Sequence, residues 1–84
     1  IKIDTFAKGR VELLRFRLKP EIGFGGKTVM DIMRQLKCDV LICAVERSGE
    51  VYIPGGNFEL AAGDVISFIA PVRDGRKFLK KNGF

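Results

Sequence analysis

The sequence predicts a two-layer α+β domain with the element order β-α-β-β-β-α and a mostly antiparallel four-stranded sheet. Three observations indicate this fold class: apolar and polar residues alternate over residues 11–18, apolar residues recur with a helical period over 28–37, and a continuous apolar run of strand length occupies 40–46. We expect the two helices to lie on one side of the sheet, which gives two layers.

Length and composition limit the chain to one domain, residues 1–84, with a small core. Because 46% of the residues are apolar, the composition predicts a folded chain. A domain of this size buries only about 60–65% of the surface that its unfolded chain exposes, so a partner often adds stability. The chain does not start with Met and has no signal peptide, so we expect it to begin inside a longer polypeptide, with residues 1–10 as an N-terminal linker.

The first predicted strand, residues 11–18, places Leu14, Phe16 and Leu18 on one face. The arginines between them point to the other face, which is typical of a half-buried strand. Pro20 ends the strand because proline has no N–H to donate.

The first predicted helix, residues 28–37, carries its apolar residues at the spacing of one helical face. These residues are Val29, Ile32, Met33 and Leu36. Thr28 is the expected N-cap, with Asp31 three residues later as an acidic variant of the capping box.

The apolar run at 40–46 is expected to have both faces covered, as a central strand or a subunit-interface strand. A turn at 47–50 leads to a short strand at 51–53, and the last strand is predicted at 65–70. Short turns between these three strands predict an antiparallel meander.

The net charge of +5 is concentrated in the last predicted helix, residues 73–82. Five lysines and arginines there face a single acid, Asp74, while Phe78 and Leu79 have the spacing of packing residues. Because the charge is confined to one terminal helix and no aromatic platform accompanies it, the sequence does not favour a nucleic-acid partner.

Residue types exclude most catalytic chemistry. The chain has no histidine, which removes the commonest general base and the commonest metal ligand. Cys38 and Cys43 lack the spacing of a metal knuckle and are expected to be reduced thiols. Glu59 and Asp64 could be imagined as an acid–base pair, but Asp64 follows a glycine in a tight turn, where it is expected to bond the local backbone. The sequence therefore predicts a protein that is not an enzyme and has no metal site.

The glycine-rich segment 23–28 has the composition of a phosphate-binding loop but not its spacing. A P-loop requires glycine at the position that Glu21 occupies, and a dinucleotide fingerprint requires glycine at Thr28. We therefore expect the segment to bend the chain and cap the helix, although backbone N–H groups at a helix start can also contact an anion.

Two features leave a binding role open. Arg34, next to Met33 on the first helix, presents a planar fork that suits a phosphate, but a solvated helix arginine has the same sequence pattern. The apolar run at 40–45 is more hydrophobic than so small a domain requires, which suggests a subunit contact unless the strand is buried within its own fold.

Several weak motifs occur in a fixed order between residues 11 and 70. They are a Gly-Lys helix start at 26–27, a strand that ends in Arg47-Ser48-Gly49, then Pro54, and Gly63-Asp64 before the last strand. As an ordered set, they make the chain resemble an RCK C-terminal (TrkA-C) domain.

The resemblance implies a regulatory ligand-binding and dimerisation module of a cytosolic subunit. Such a subunit controls potassium transport and is peripheral to the membrane through a potassium transporter or channel. The resemblance implies no cofactor in this domain, because NAD or ATP would bind a Rossmann domain absent from this chain. Cyclic di-AMP or another nucleotide would bind in the groove of a homodimer. The candidate ligand-binding residues are Ile32, Met33, Arg34, Val40, Leu41 and Pro54. The alternative is a purely structural dimerisation domain with no small-molecule ligand.

Overall fold

Five antiparallel strands form one sheet in the computed structural model, which describes residues 2–36 and 39–82. The strands are β1 (Lys2–Phe6), β2 (Val11–Arg17), β3 (Leu41–Arg47), β4 (Glu50–Tyr52) and β5 (Val65–Pro71), and the helices are α1 (Val29–Gln35) and α2 (Val72–Lys81). The order across the sheet is β1-β2-β5-β3-β4. The α+β class is therefore confirmed.

The predicted count of four strands is wrong, because residues 2–6 of the expected linker form β1. This strand pairs with β2, from Lys2 opposite Arg15 to Phe6 opposite Val11. All five of its side chains are exposed. The strand is held by its backbone ladder and lacks the apolar alternation that reveals a half-buried strand in a sequence.

The last three strands do not form the predicted meander. β3 and β4 form a hairpin, but β5 pairs with β3 and β2 and so lies on the other side of β3. β5 buries Ile66, Phe68 and Ala70, whereas all three residues of β4 are exposed. The apolar strand takes the centre of the sheet, where both of its ladders are filled, and the short strand takes the edge.

The core lies between the sheet and the two helices. The ring of Phe78 from α2 lies 5.4 Å from that of Phe16 and 4.8 Å from that of Phe68, measured between centroids. Phe78 is buried and Leu79 is half-buried against the core, which confirms both as the apolar contacts of the basic helix. Ile32 of α1 is fully buried in the same core.

The predicted N-cap of α1 is confirmed, since the Oγ1 of Thr28 accepts a hydrogen bond from the Asp31 N–H at 3.2 Å. The glycine-rich segment 23–28 forms backbone hydrogen bonds with a later segment of the chain. The Gly26 N–H donates to the Leu60 carbonyl at 2.8 Å, and the Leu60 N–H donates to the Lys27 carbonyl at 2.9 Å. The segment therefore has the structural role expected of it. Neither helix, within residues 2–36 and 39–82, has the length and apolar character needed to cross a membrane.

Candidate ligand and subunit contact site

Two of the six predicted ligand-binding residues lie in the core. Ile32 is 0% exposed and Val40 is 6% exposed, and both pack within the buried apolar cluster. Their side chains stabilise the fold and do not reach the surface.

Three of the other predicted residues lie at or near the surface around α1. Arg34 is exposed, and its guanidinium has no hydrogen-bond or ion-pair partner within residues 2–36 and 39–82. Met33 is half-buried against the core, and Met30, which is 43% exposed, lies one turn before Arg34. Pro54 is half-buried and belongs to the segment that contacts the start of α1, where the Met30 N–H donates to the Gly56 carbonyl at 3.0 Å.

Leu41 lies away from these three residues. It is 61% exposed and pairs with Ile69 of β5, while its neighbour Ile42 is buried in the core. Because successive side chains of a strand point to opposite faces, Leu41 lies on the face of the sheet that the helices do not cover. Most of the apolar run at 40–45 is therefore used by the core of the domain itself, and Leu41 is its exposed member. Cys43 is a half-buried free thiol in this strand, and Cys38 lies outside the described residues.

Exposed apolar surface is found instead on β4 and at its exit. Val51, Tyr52 and Ile53 are 63%, 40% and 81% exposed. These residues are not among the contact residues predicted from the sequence. The signal was present, because three successive apolar residues between turn segments make a strand too short to bury them.

A tight turn fixes the position of β4. Ser48 and Gly49 both have positive φ angles, 51° and 79°, and they connect Arg47 to its strand partner Glu50. Two positive φ angles in a two-residue hairpin loop define a type I′ turn, whose twist matches that of the flanking strands.

Arg47 at the end of β3 is the centre of a polar network that holds the next loop. Its Nε donates to Oδ1 of Asp64 at 2.8 Å, and its Nη2 donates to Oδ2 of Asp64 at 2.7 Å and to the Glu59 carbonyl at 2.9 Å. The guanidinium lies 5.1 Å from the centroid of the Phe58 ring, which lies 5.5 Å from that of Tyr52. The network therefore connects the loop between β4 and β5 to the exposed apolar strand.

The ion pair keeps a buried carboxylate charged. The hydrogen bond from Arg47 lowers the pKa of Asp64 against the opposing effect of burial, and the same bond raises the pKa of Arg47. Oδ2 of Asp64 also accepts from the Ala61 N–H at 2.9 Å, which confirms the predicted bond to the local backbone. Glu59 joins this network through its backbone carbonyl, which accepts from Arg47.

Two cavities among the described residues do not offer a nucleotide-sized enclosed site. A void of about 10 Å³ is lined by core residues that include Leu36, Val40 and Phe78, and a site for a small molecule needs hundreds of Å³. An open depression of about 320 Å³ is lined in part by Arg15 and Arg17. Both side chains there have partners, since Arg15 pairs with the Glu46 carboxylate and Arg17 donates to the Gly63 carbonyl.

The start of α1 is not a free anion site either. The Val29 N–H donates to the Phe58 carbonyl at 2.9 Å, and the Met30 N–H donates to the Gly56 carbonyl. Among the described residues, no group of three histidine, cysteine or acidic side chains is arranged to hold a metal ion. Within residues 2–36 and 39–82, one copy of the chain therefore presents exposed contact surfaces, and neither of the two cavities described above is an enclosed site of nucleotide size.

Comparison with known proteins decides the family. The family model of the TrkA-C domain matches residues 13–83. The chain belongs to the TrkA-C domain family. The Arg47–Asp64 ion pair joins two of the ordered motifs that resemble this family, the strand end at 47–49 and the Gly-Asp turn at 63–64.

Two relatives of this TrkA-C domain are informative. It is 30% identical over 74 residues to the Trk system potassium uptake protein TrkA homolog of Archaeoglobus fulgidus, a match that covers 88% of this chain and 16% of that protein. It also has the fold of the RCK C domain of the potassium transport protein KtrA, solved in complex with cyclic diadenosine monophosphate. That match has a TM-score of 0.70 and 23% identity, and it covers 82% of this chain and 80% of the other.

Proposed function

We propose that this TrkA-C domain is a regulatory ligand-binding and dimerisation module of a cytosolic subunit that controls potassium transport. The names of its relatives support this assignment, since one is a potassium uptake protein and the other is a potassium transport protein. The partners would be a second copy of the domain and the membrane subunit of a transporter or channel. NAD or ATP would bind elsewhere in the whole protein.

One observation carries the proposal. The domain leaves Val51, Tyr52 and Ile53 exposed at the edge of the sheet, and neither cavity described above offers an enclosed site of nucleotide size. The segment that follows β4 contacts the start of α1, the helix that carries Arg34. A contiguous exposed apolar strand at a sheet edge is typical of a surface that a second molecule covers. A groove for a nucleotide would then form only between two copies.

The proposed ligand is cyclic di-AMP or another nucleotide, because a similar fold was solved with that ligand. Arg34 would donate to a phosphate, and Met33 and Pro54 would contact a base. Ile32 and Val40 would support these residues from the core, while Leu41 would contact the ligand only from the other face of the sheet.

Titration calorimetry tests ligand binding, and sedimentation velocity tests dimerisation. We expect heat with cyclic di-AMP, little heat with cyclic di-GMP as the matched dinucleotide, and a dimer in sedimentation velocity. A dimer that gives no heat with cyclic di-AMP, ATP or NAD at high protein concentration would support the alternative, a purely structural dimerisation domain. The burial of Ile32 and Val40 in one copy also fits that alternative, because both side chains already pack in the core.

A further inference from the structure

The free edge of β4 is the surface through which two copies would meet. We propose that a second copy of this chain pairs its β4 antiparallel to the first, so that two five-stranded sheets join around a two-fold axis at Tyr52. This inference rests on the proposed dimerisation.

The hairpin geometry determines which backbone groups point outward. In a two-residue hairpin, the residues that flank the turn, here Arg47 and Glu50, exchange hydrogen bonds, so the next pair, Glu46 and Val51, does not. The N–H and C=O of Val51 therefore point away from β3. If the extended backbone continues one residue past β4, the same alternation turns those of Ile53 outward, and β4 is the last strand in the sheet order.

These outward groups define one register. With the axis at Tyr52, Val51 of each copy lies opposite Ile53 of the other, and each pair exchanges two hydrogen bonds. Tyr52 lies opposite Tyr52 of the second copy as a pair without backbone hydrogen bonds. Pro54 ends the ladder because it has no N–H.

The side chains suit this register. In this register Val51 and Ile53 would share one face of the strand. They are 63% and 81% exposed, and β-branched residues pack well as cross-strand pairs. No charged residue lies within 51–53, and Glu50 would lie opposite Pro54 of the second copy, so like charges are not opposed. The paired surface is therefore uncharged between residues 51 and 53, so a two-fold interface there meets no repulsion between like charges.

The opposite edge of the sheet provides the contrast. β1 is also an edge strand, but it carries the charges of Lys2 and Asp4, and all of its residues are exposed. Charged side chains are a common protection against pairing between edges. β4 lacks this protection between 51 and 53, and for that reason we assign the pairing to β4.

A charge-swap experiment tests the register. We expect the wild-type dimer to weaken at least tenfold in V51K/I53K, because like charges then face each other in both pairs. The V51K/I53E variant restores association to within a few-fold of wild type, because each lysine then faces a glutamate of the other copy. Ile3→Lys on β1 is the matched control and leaves the dimer intact. Sedimentation equilibrium measures all four dissociation constants.

The outcomes separate this inference from the proposed function. A wild-type dimer that both double variants weaken equally, or that neither weakens, overturns the β4 register and leaves dimerisation standing. A wild-type chain that stays monomeric at millimolar concentration overturns dimerisation itself. If a double variant does not fold, the register is tested instead by oxidising the Tyr52→Cys variant. We expect an interchain disulfide, well above the wild-type background, with Ile3→Cys as control, and its absence overturns the register.

Discussion

Arg47 and Asp64 form a two-point ion pair between the end of β3 and the start of β5, with N–O distances of 2.8 and 2.7 Å. The Asp64 side chain is 2% exposed, whereas that of Arg47 is 37% exposed. Because the same guanidinium binds the Glu59 carbonyl, the pair fixes the loop that follows the exposed strand β4. The pair therefore stabilises the fold and also fixes the loop next to the proposed contact surface on β4.

Removing the Arg47 guanidinium should destabilise the folded chain. We expect Arg47→Ala to lower the free energy of unfolding by about 2–4 kcal/mol, because it leaves a buried carboxylate without its counter-ion. Urea denaturation measures the loss. Arg15→Ala, which removes the exposed pair with Glu46, is the matched control and should cost about 1 kcal/mol or less. Equal losses in the two variants would contradict the role of Asp64 burial.

The same pair predicts a dependence of stability on pH. The pKa of Asp64 is lower in the folded chain than in the unfolded chain, mainly through the hydrogen bond from Arg47. The stabilisation is therefore present above the unfolded pKa, about 3.9, and is lost as the pH falls through the folded value. Asp64→Asn removes this titration, so the difference in unfolding free energy between wild type and variant should shrink below about pH 4. A difference that stays constant from neutral to acidic pH would refute this assignment.

Local patterns predicted the elements that have a periodic buried face. The alternation at 11–18 gives β2, the helical spacing after Thr28 gives α1, and the apolar strand at 65–70 gives β5. β1 escaped detection because its side chains are all exposed and only its backbone is paired. The position of β5 next to β2 also escaped, because the pattern of a strand shows how much of it is buried but not which neighbour it pairs with.

The candidate site was harder to predict than the fold. A helical face predicts which residues are apolar, and Ile32 and Met33 share that face, yet one is fully buried and the other half-buried. The bidentate partner of Asp64 is 17 residues away in sequence, so no local spacing reveals it. The exposure of Ile53 depends on β4 lying at the sheet edge, which is a property of the tertiary fold.

The residue at position 48, in the turn before β4, is not the one that best suits the conformation of the turn. Ser48 has a φ angle of 51°, a left-handed conformation that asparagine tolerates better than serine. We expect Ser48→Asn to stabilise the chain by about 0.5 kcal/mol, since Asn-Gly is the preferred type I′ sequence. Gly49→Ala, at a φ of 79°, should instead destabilise it by about 1–2 kcal/mol. Thermal unfolding of both variants measures the two effects, and effects of the same sign would argue against the type I′ turn.

The aromatic cluster under α2 predicts a large cavity effect. Phe78 is 3% exposed and contacts three other phenylalanine rings, including Phe24 at 6.1 Å between centroids. We expect Phe78→Ala to lower the unfolding free energy by about 3–5 kcal/mol, as measured in urea. Phe6→Ala on β1, where the ring is 46% exposed, should cost about 1 kcal/mol or less. A small loss at Phe78 would mean that α2 does not pack on the sheet as described.

Arg34 separates the ligand hypothesis from the structural one most directly. Its side chain is exposed and has no partner among the described residues, so Arg34→Ala should change the unfolding free energy by no more than about 0.5 kcal/mol. If Arg34 binds a phosphate of cyclic di-AMP, the variant loses about 1.5–3 kcal/mol of binding free energy, which is an affinity weaker by about 10- to 150-fold in calorimetry. Arg34→Lys should recover only part of it, because an ammonium lacks the planar fork with which a guanidinium matches two phosphate oxygens. Arg73→Ala, at an exposed position of α2, is the control and should bind as the wild type does. An Arg34→Ala variant with unchanged affinity would remove Arg34 from the site, because the loss of a charge-assisted contact to a phosphate cannot be silent.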